Sequence, residues 1–142
     1  MPSAIYSRDI LRLASSIACL GRLDHPQASA EKSSSVCGSR VAVDIALDSE
    51  GRVAELGQAV KACALGQASA SLMGAHAVGR RPVEIEEARD SLAAYLAGRR
   101  DEPGNWPGLE VFAEARRVSA RHASILLAFD AAAEAAAKAE AR

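Results

Sequence analysis

The sequence predicts an α+β fold in which a small antiparallel sheet packs against several helices. Residues 41–48 alternate apolar side chains with small or acidic ones, which is the period of a β-strand, and residues 53–60 fit the returning strand of a hairpin. Later segments carry apolar residues at helical spacing and follow the strands instead of alternating with them. An order of helix, hairpin and then several helices is typical of the α+β class.

The first helix is predicted to begin at Ser7, whose hydroxyl can cap free N–H groups, and to end at Gly21. Cys19 falls within the apolar pattern of this helix, so we interpret it as a core thiol. Residues 22–36 have the polar composition of a loop, and this loop leads directly into Cys37.

The elements after the hairpin are predicted to be helical. The pattern changes after Cys63 to that of a helix through about Val78, and small residues cover much of its surface. A further helix begins near Pro82. Its acidic residues favour a solvated face near the helix N-terminus over a metal or acid–base site; they are Glu84, Glu86, Glu87 and Asp90.

The C-terminal part combines a loop with a last helix. Residues 98–108 are a predicted loop, and we expect its Trp106 to pack on its own domain. The alanine-rich tail from about residue 133 has high helix propensity and is expected to fray or project. One face of the last helix is formed by Val118, His122, Ile125 and Phe129.

Composition limits the classes of function. The chain has 142 residues, of which 49% are hydrophobic and 25% charged, and this predicts a single domain over residues 1–142. A net charge of -1 with 4% aromatic residues does not favour a nucleic-acid surface. The apolar runs are shorter than the roughly 20 residues of a membrane span. With Asp9 among the early residues and three cysteines outside any disulfide spacing, we expect a cytoplasmic protein.

Two cysteine segments are the best candidates for chemistry. Cys37-Gly38-Ser39 precedes the predicted hairpin, and Cys63 stands at the start of a predicted helix. A helix N-terminus favours the thiolate form because its free N–H groups and dipole stabilise negative charge. Two thiolates suit a sulfur-handling or soft-metal site, although two ligands alone do not complete a tetrahedral zinc site.

These segments resemble the U-type iron–sulfur cluster scaffold family, which includes IscU, SufU and the N-terminal domain of NifU. Cys37-Gly38-Ser39 is similar to the family's Cys-Gly-Asp motif, and residues 68–73, Ala-Ser-Ala-Ser-Leu-Met, are similar to its second-cysteine helix. Residues 79–88 resemble the Gly-Lys-Thr-x-Glu-Glu-Ala segment, and residues 120–129 resemble the closing Ala-Arg-x-x-Cys-x-x-Leu-x-Trp. The long spacing between Cys63 and the closing motif matches the SufU branch best.

The resemblance implies a ligand set of three cysteines and one aspartate that holds zinc or a nascent iron–sulfur cluster. By position, Cys37 and Cys63 are the first two cysteines and the sulfur-accepting nucleophiles. Ser39 stands at the aspartate position and Ser124 at the third cysteine. A neutral hydroxyl binds soft metals weakly, so two of the four ligands are predicted to be lost.

The position of the third ligand stays open between two alignments. A one-residue shift places Ala123 at the third cysteine and His122 at the family's histidine, and Cys37, Cys63, His122 and water would then form an open zinc-type set. The predicted apolar stripe instead turns His122 toward the core, about 200° around an ideal helix from Ser124. If the helix begins only after Ser124, both side chains can face the site.

The resemblance implies a scaffold or sulfur acceptor, not a conventional enzyme, that works with a cysteine desulfurase and other cluster-assembly proteins. Arg121, with Arg116 and Arg117, would hold anionic intermediates or pair with the partner. The alternative is a degenerate non-catalytic module that binds or modulates the desulfurase without assembling clusters. A zinc hydrolase or deaminase is disfavoured because the chain has no His-x-Glu or Cys-x-x-Cys motif.

Overall fold

The computed structural model describes residues 6–35 and 38–141 and confirms the predicted α+β class. A three-stranded antiparallel sheet in the order β1-β2-β3 has helices packed on one face. Within the described ranges, no helix combines the length and apolar character needed to cross a membrane. In chain order the elements are α1 (Arg8–Ala14), β1 (Ala28–Ser33), β2 (Arg40–Leu47), β3 (Val53–Lys61), α2 (Ala64–Ala77), α3 (Pro82–Leu96), two 3₁₀ segments (Leu109–Arg117 and Ser119–Arg121) and α4 (His122–Glu140).

The two faces of the sheet differ because successive residues of a strand point to opposite sides. Val41, Val43 and Ile45 of β2 are fully buried on the face that packs against the helices. The alternate residues of β2, among them Arg40 and Ala42, belong to the other face. We call this second side the outer face of the sheet.

Strand β1 corrects the prediction that residues 22–36 form a loop. It pairs with β2 from Ala28 opposite Ile45 to Ser33 opposite Arg40. Its inward residues are alanines, which contribute little to an apolar pattern, and its remaining residues are Ser, Glu, Lys and Ser. The strand therefore forms through its pairing with β2 and not through local propensity.

Helix α1 is shorter than the sequence predicted. Its predicted N-cap is confirmed, since Ser7 Oγ accepts a hydrogen bond from Ile10 N at 3.3 Å. The helix ends at Ala14, with Ser15 as C-cap, instead of continuing to Gly21. Serine competes for backbone hydrogen bonds and favours helix ends, and the apolar spacing hid this signal.

Cys19 lies outside the predicted helix, in a segment that pairs with the edge of β3. Gln58 N donates to Cys19 O at 3.0 Å, and Gly21 N donates to Gln58 O at 2.7 Å. Cys19 has a left-handed φ of 59° and is half-buried against the core, with its thiol 3.4 Å from Gly74 O. The Cys19 thiol is packed against the core as predicted, and the Cys19 backbone is paired with β3.

Helix α2 connects back to the strand that precedes it. Gly79 N donates to Val53 O at 2.8 Å, and Val53 N donates to Arg80 O at 2.8 Å. Gly79 has a φ of 92°, which a residue with a side chain adopts only with strain. The chain thus leaves β3 at one end, runs through α2 and pairs with β3 again at the other end.

Helix α4 packs its alanines against β1, β2, α2 and α3. The segment beyond residue 133, expected to fray, is helical and buries alanines as far as Ala139. Lys32 of β1 forms an ion pair with Glu134 at 2.8 Å, and Gln27 Nε2 donates to Ala139 O at 3.0 Å. Small side chains let this helix lie close to the sheet, which helix propensity alone does not reveal.

The region before α4 is a 3₁₀ helix where the apolar stripe from Val118 predicted an α-helix. Trp106, just ahead of this region, packs on its own domain as predicted and is 4% exposed. Its indole N–H donates to Leu72 O at 2.9 Å, and its ring meets the edge of Phe129 with centroids 5.3 Å apart. On α3, the predicted solvated face is confirmed for Glu86, Glu87 and Asp90, which are exposed.

A buried carboxylate joins the outer face of the sheet to the loop that follows α1. Asp44 is 1% exposed and accepts two hydrogen bonds from the guanidinium of Arg22, at 2.7 and 2.8 Å. Ser29 Oγ donates at 2.5 Å and Leu23 N at 3.0 Å. The bond from Arg22, with smaller contributions from Ser29 and Leu23, lowers the pKa of Asp44 to about 2.

Replacing Asp44 with asparagine should reduce stability at neutral pH by about 1–2 kcal/mol, since the folded state gains by ionising Asp44. Because the folded-state pKa is depressed, this stabilisation is complete above the carboxyl's ordinary pKa of 3.8 and is lost as pH falls toward 2. Urea unfolding of Asp44→Asn between pH 7 and pH 2 should show a weaker pH dependence than the parent. Arg117→Ala, which breaks an exposed ion pair with Glu114, is the control and should cost under about 0.5 kcal/mol. If Asp44→Asn loses as much stability as the parent between pH 4 and pH 2, Asp44 is not the source of this pH dependence.

Candidate functional site

Two of the predicted site residues, Ser39 and Cys63, lie at one end of the sheet. The last register pair between β2 and β3 is Arg40 with Lys61. Ser39 comes directly before this pair and Cys63 two residues after it, so both lie at the same end. Ser39 is 2% exposed and shares the parity of the β2 residues that face the helices. The sheet therefore brings Ser39 and the start of α2 to the same end.

The Cys-Gly-Ser loop connects β1 to β2, instead of leading into a first strand. Ser34 N donates to Ser39 O at 2.8 Å, and Gly38 N donates to Ser34 O at 2.9 Å. Gly38 has a φ of 70° and open space around its Cα, so backbone conformation and not crowding favours glycine here. Val36 and Cys37 lie outside the described residues, and the ligand and nucleophile roles of Cys37 stay predictions.

Cys63 is the N-cap residue of α2, as predicted, and is half-buried. Its backbone carbonyl accepts a hydrogen bond from Gln67 N at 2.9 Å, while its side chain makes no capping hydrogen bond. The Cys63 thiol is therefore not used to cap α2. A cysteine that binds a metal or attacks sulfur does so as a thiolate.

The first turn of α2 lies against the first turn of α4. A Cβ added at Gly66 would be 3.2 Å from Ser124 O and 2.8 Å from the Cβ of Ala62, so only glycine allows this approach without movement. The buried hydroxyl of Ser69 donates to Ile125 O at 2.5 Å. Two helix N-termini thus meet at the end of the sheet that carries Ser39 and Cys63.

Ser124 and His122 both belong to the first turn of α4, because this helix begins at His122 and not after Ser124. Ser124 is 1% exposed, whereas Ala123 between them is exposed. His122 is half-buried and so does not continue the buried stripe that the sequence predicted. The burial pattern favours Ser124 over Ala123 as the residue that faces the core of the site.

The ring of His122 is oriented by a main-chain carbonyl. His122 Nε2 lies 3.0 Å from Ala115 O, and a carbonyl oxygen only accepts, so Nε2 carries the proton. In the neutral ring this leaves the lone pair on Nδ1. Metal-binding histidines commonly donate their other ring N–H to a carbonyl in this way. The contact therefore suits ligation through Nδ1.

The three predicted arginines have different surroundings. Arg121 is the N-cap residue of α4, directly before His122. Arg116 instead donates to Tyr95 O and Arg100 O, each at 2.8 Å, and lies over the Tyr95 ring, 4.3 Å from its centroid. It caps the end of α3. Arg117 forms an exposed ion pair at 2.9 Å with Glu114.

The described residues do not complete a metal site. In residues 6–35 and 38–141, no group of three or more His, Cys, Asp or Glu side chains is arranged to hold a metal ion. Cys63 and His122 supply a thiolate and an imidazole, and Ser39 and Ser124 supply hydroxyls. Zinc and iron accept thiolate and imidazole as ligands, whereas a neutral hydroxyl binds such metals weakly.

Two serines that the sequence showed only as part of a motif prove to be structural anchors. Ser69 and Ser71 are both buried, but they point to different partners. Ser69 bonds to α4 beside the site, whereas Ser71 Oγ donates to Ser16 O at 3.1 Å, in the segment after α1. Serines spaced by two in a helix rich in small residues were the available signal for such contacts.

Similar structures define the family. The chain is similar to the crystal structure of a nitrogen-fixing NifU-like protein (N-terminal) from Brucella abortus, with 36% identity, a TM-score of 0.92, and coverage of 99% of this chain and 97% of that chain. It also shares its fold with a putative iron–sulfur cluster assembly scaffold protein for the SUF system from Fervidobacterium islandicum AW-1, at 18% identity and a TM-score of 0.87, with 96% and 99% coverage. No protein-family model and no curated protein matches the chain.

Ser69→Ala should loosen the contact between the two helix starts, and Ser71→Ala should not. Each variant loses one buried hydrogen bond and should cost about 1 kcal/mol in stability. Only Ser69→Ala should raise the rate at which iodoacetamide alkylates Cys63, measured by peptide mass spectrometry in native buffer. Equal Cys63 rates in the two variants at matched stability would show that Ser69 does not position the site.

Proposed function

The chain belongs to the family of NifU-like N-terminal domains, and on that premise we propose that it is an iron–sulfur cluster assembly scaffold or sulfur acceptor. One observation supports this most directly: Ser39, Cys63, Ser124 and His122, which the family motif places in the site, lie at one end of the sheet. They come from the β1–β2 loop, α2 and α4.

The sulfur chemistry follows from the position of Cys63. Its thiolate attacks the outer sulfur of a donor persulfide, a new S–S bond forms at Cys63, and the donor's S–S bond breaks. The donor leaves as a thiolate, and the transferred sulfur keeps its proton, so the exchange needs no added oxidant or reductant.

The proposed sulfur source is a cysteine desulfurase, and the chain acts as a carrier instead of a conventional enzyme. Cys37 is the proposed second thiol of the site, and His122, through Nδ1, the proposed third ligand to iron, or to zinc held weakly. Arg121 would neutralise an anionic sulfur or cluster intermediate. Membership of the SufU branch, other cluster-assembly partners and a cytoplasmic location stay predictions.

The second candidate is a degenerate module that binds the desulfurase without assembling clusters. The serines at the aspartate and third-cysteine positions support it, because a buried hydroxyl does not replace a carboxylate or thiolate. The orientation of His122 and the uncapped position of Cys63 support the first candidate. The two differ in one measurable property, which is whether sulfur or iron ends on this chain.

Anaerobic incubation with the organism's own cysteine desulfurase, L-cysteine, Fe²⁺ and a dithiol that reduces persulfide sulfur to sulfide should leave acid-labile sulfide and visible absorbance on the chain. Cys63→Ala should lower both by about tenfold or more, because it removes the attacking thiolate. Cys19→Ala is the matched control and should stay within about twofold, since Cys19 faces Gly74 O. A change in desulfurase turnover without sulfide on this chain would favour the second candidate. If the chain neither gains sulfide nor changes desulfurase turnover, the assembly role is overturned.

Restoring the lost ligands should raise zinc affinity by orders of magnitude. Ser39→Asp with Ser124→Cys replaces two hydroxyls with a carboxylate and a thiolate, and metal bound only by the folded state stabilises it. The melting temperature of the double variant should therefore rise with added zinc much more than that of the parent. Ser39→Asp with Ala123→Cys is the control and should gain little, because Ala123 is exposed. A larger gain with Ala123→Cys would establish the shifted alignment.

A further inference from the structure

Two basic side chains face each other on the outer face of the sheet, next to the candidate site. Arg40 of β2 and Lys61 of β3 are register partners, and both are exposed. Like charges directly opposite each other in an antiparallel pair destabilise the sheet. Neither side chain forms an ion pair with any residue that the structure describes. This uncompensated pair points to an anionic partner that is not part of the chain.

A trough surrounds the pair and extends to Gly38. A cavity of about 260 Å³ lies over Arg40 and Lys61. Its floor includes Ala42 and Ala59, whose small side chains leave room for another backbone. An adjoining cavity of about 430 Å³ shares Arg40 and continues along the β1–β2 loop to Gly38. The trough is therefore elongated, as a bound peptide requires and a single small anion does not.

The charge of the trough is positive, although the whole chain carries -1. Arg22 lines one cavity, but its charge is compensated by the bidentate contact with Asp44. Glu31 is the carboxylate that lines both cavities. Arg40 and Lys61 form no ion pair within residues 6–35 and 38–141, so one carboxylate stands against two such cations and the charge of the trough favours an acidic ligand.

The trough also adjoins the residues that would exchange sulfur or iron. Arg40 directly follows Ser39, and Lys61 precedes Cys63 by two residues. A segment held between Arg40 and Lys61 would therefore lie at the end of the sheet that carries Ser39 and Cys63.

We propose that this trough docks an extended acidic segment of the protein that exchanges sulfur or iron with the site. The inference rests on the proposed function for the purpose of docking, but the recognition itself needs only charge and shape. Acidic side chains at every second position of an extended segment would face Arg40 and Lys61 together. Its backbone would lie over the alanine floor.

The test uses a fluorescein-labelled ten-residue peptide that alternates Glu and Ala, with a Gln–Ala peptide of equal length as control. Fluorescence anisotropy at low ionic strength should show binding of the Glu–Ala peptide alone. Lys61→Glu should weaken binding of the Glu–Ala peptide by about tenfold, because an attractive contact between Lys61 and the peptide is replaced by a repulsive one. The same substitution should leave the melting temperature unchanged or higher, since it turns a like-charge pair into an opposite-charge pair.

Arg99→Glu is the matched control, because it changes the net charge by the same amount as Lys61→Glu. Arg99 is exposed and lies beyond α3, away from the trough. It should keep affinity within about twofold. Three results would each overturn the proposal. They are a loss of peptide affinity in Arg99→Glu equal to that in Lys61→Glu, binding of the Gln–Ala peptide as tight as that of the Glu–Ala peptide, and displacement of the Glu–Ala peptide by inorganic phosphate at about the same concentration of negative charge. Since the assay contains no metal or sulfur donor, Cys63→Ala should bind the peptide normally, and a failure here leaves the cluster assay to decide the proposed function.

Discussion

The close approach of α2 and α4 is the contact on which the remaining structure depends. Gly66 leaves no side chain between the first turns of the two helices, and the alanines of α4 allow the same closeness along the sheet. The buried Ser69 hydroxyl then fixes the relative position of the helices through Ile125 O. A methyl group added at Gly66 would lie 3.2 Å from Ser124 O and 2.8 Å from the Cβ of Ala62, so neighbouring atoms would have to shift to make room for it.

Patterns of large apolar residues predicted the fold class well. The elements that the sequence did not predict are rich in small or polar residues. The β2–β3 hairpin, α2 and α3 have clear periodicity and were predicted. Strand β1 buries only alanines, and the tail of α4 buries alanines too, so neither has a pattern that distinguishes a packed segment from a solvated one. The 3₁₀ region before α4 has helical spacing but a tighter turn, which spacing over a few residues does not reveal.

Motif similarity predicted which segments form the candidate site, but not how they are arranged. The structure places Ser39 and Cys63 at the same end of the sheet and Ser124 beside the start of α2, while the roles of these residues stay predictions. Burial separates Ser124 from its neighbour Ala123, which the alignment alone left open. The contact that orients His122 uses the carbonyl of Ala115, and a carbonyl acceptor leaves no signal in the side-chain sequence.

The return of the chain from α2 to Val53 has a consequence for how the site would open. Hydrogen bonds from Gly79 and to Arg80 fasten the end of α2 to the beginning of β3, while Cys63 sits where β3 ends and α2 begins. β3 and α2 are thus joined at both ends, by the chain itself near Cys63 and by backbone hydrogen bonds near Val53. Sliding α2 along its axis to release the thiol would break hydrogen bonds about 20 Å away, the length of a 14-residue helix. The thiol end of α2 should therefore unfold together with β3 as one cooperative unit, and not as a locally fraying helix terminus.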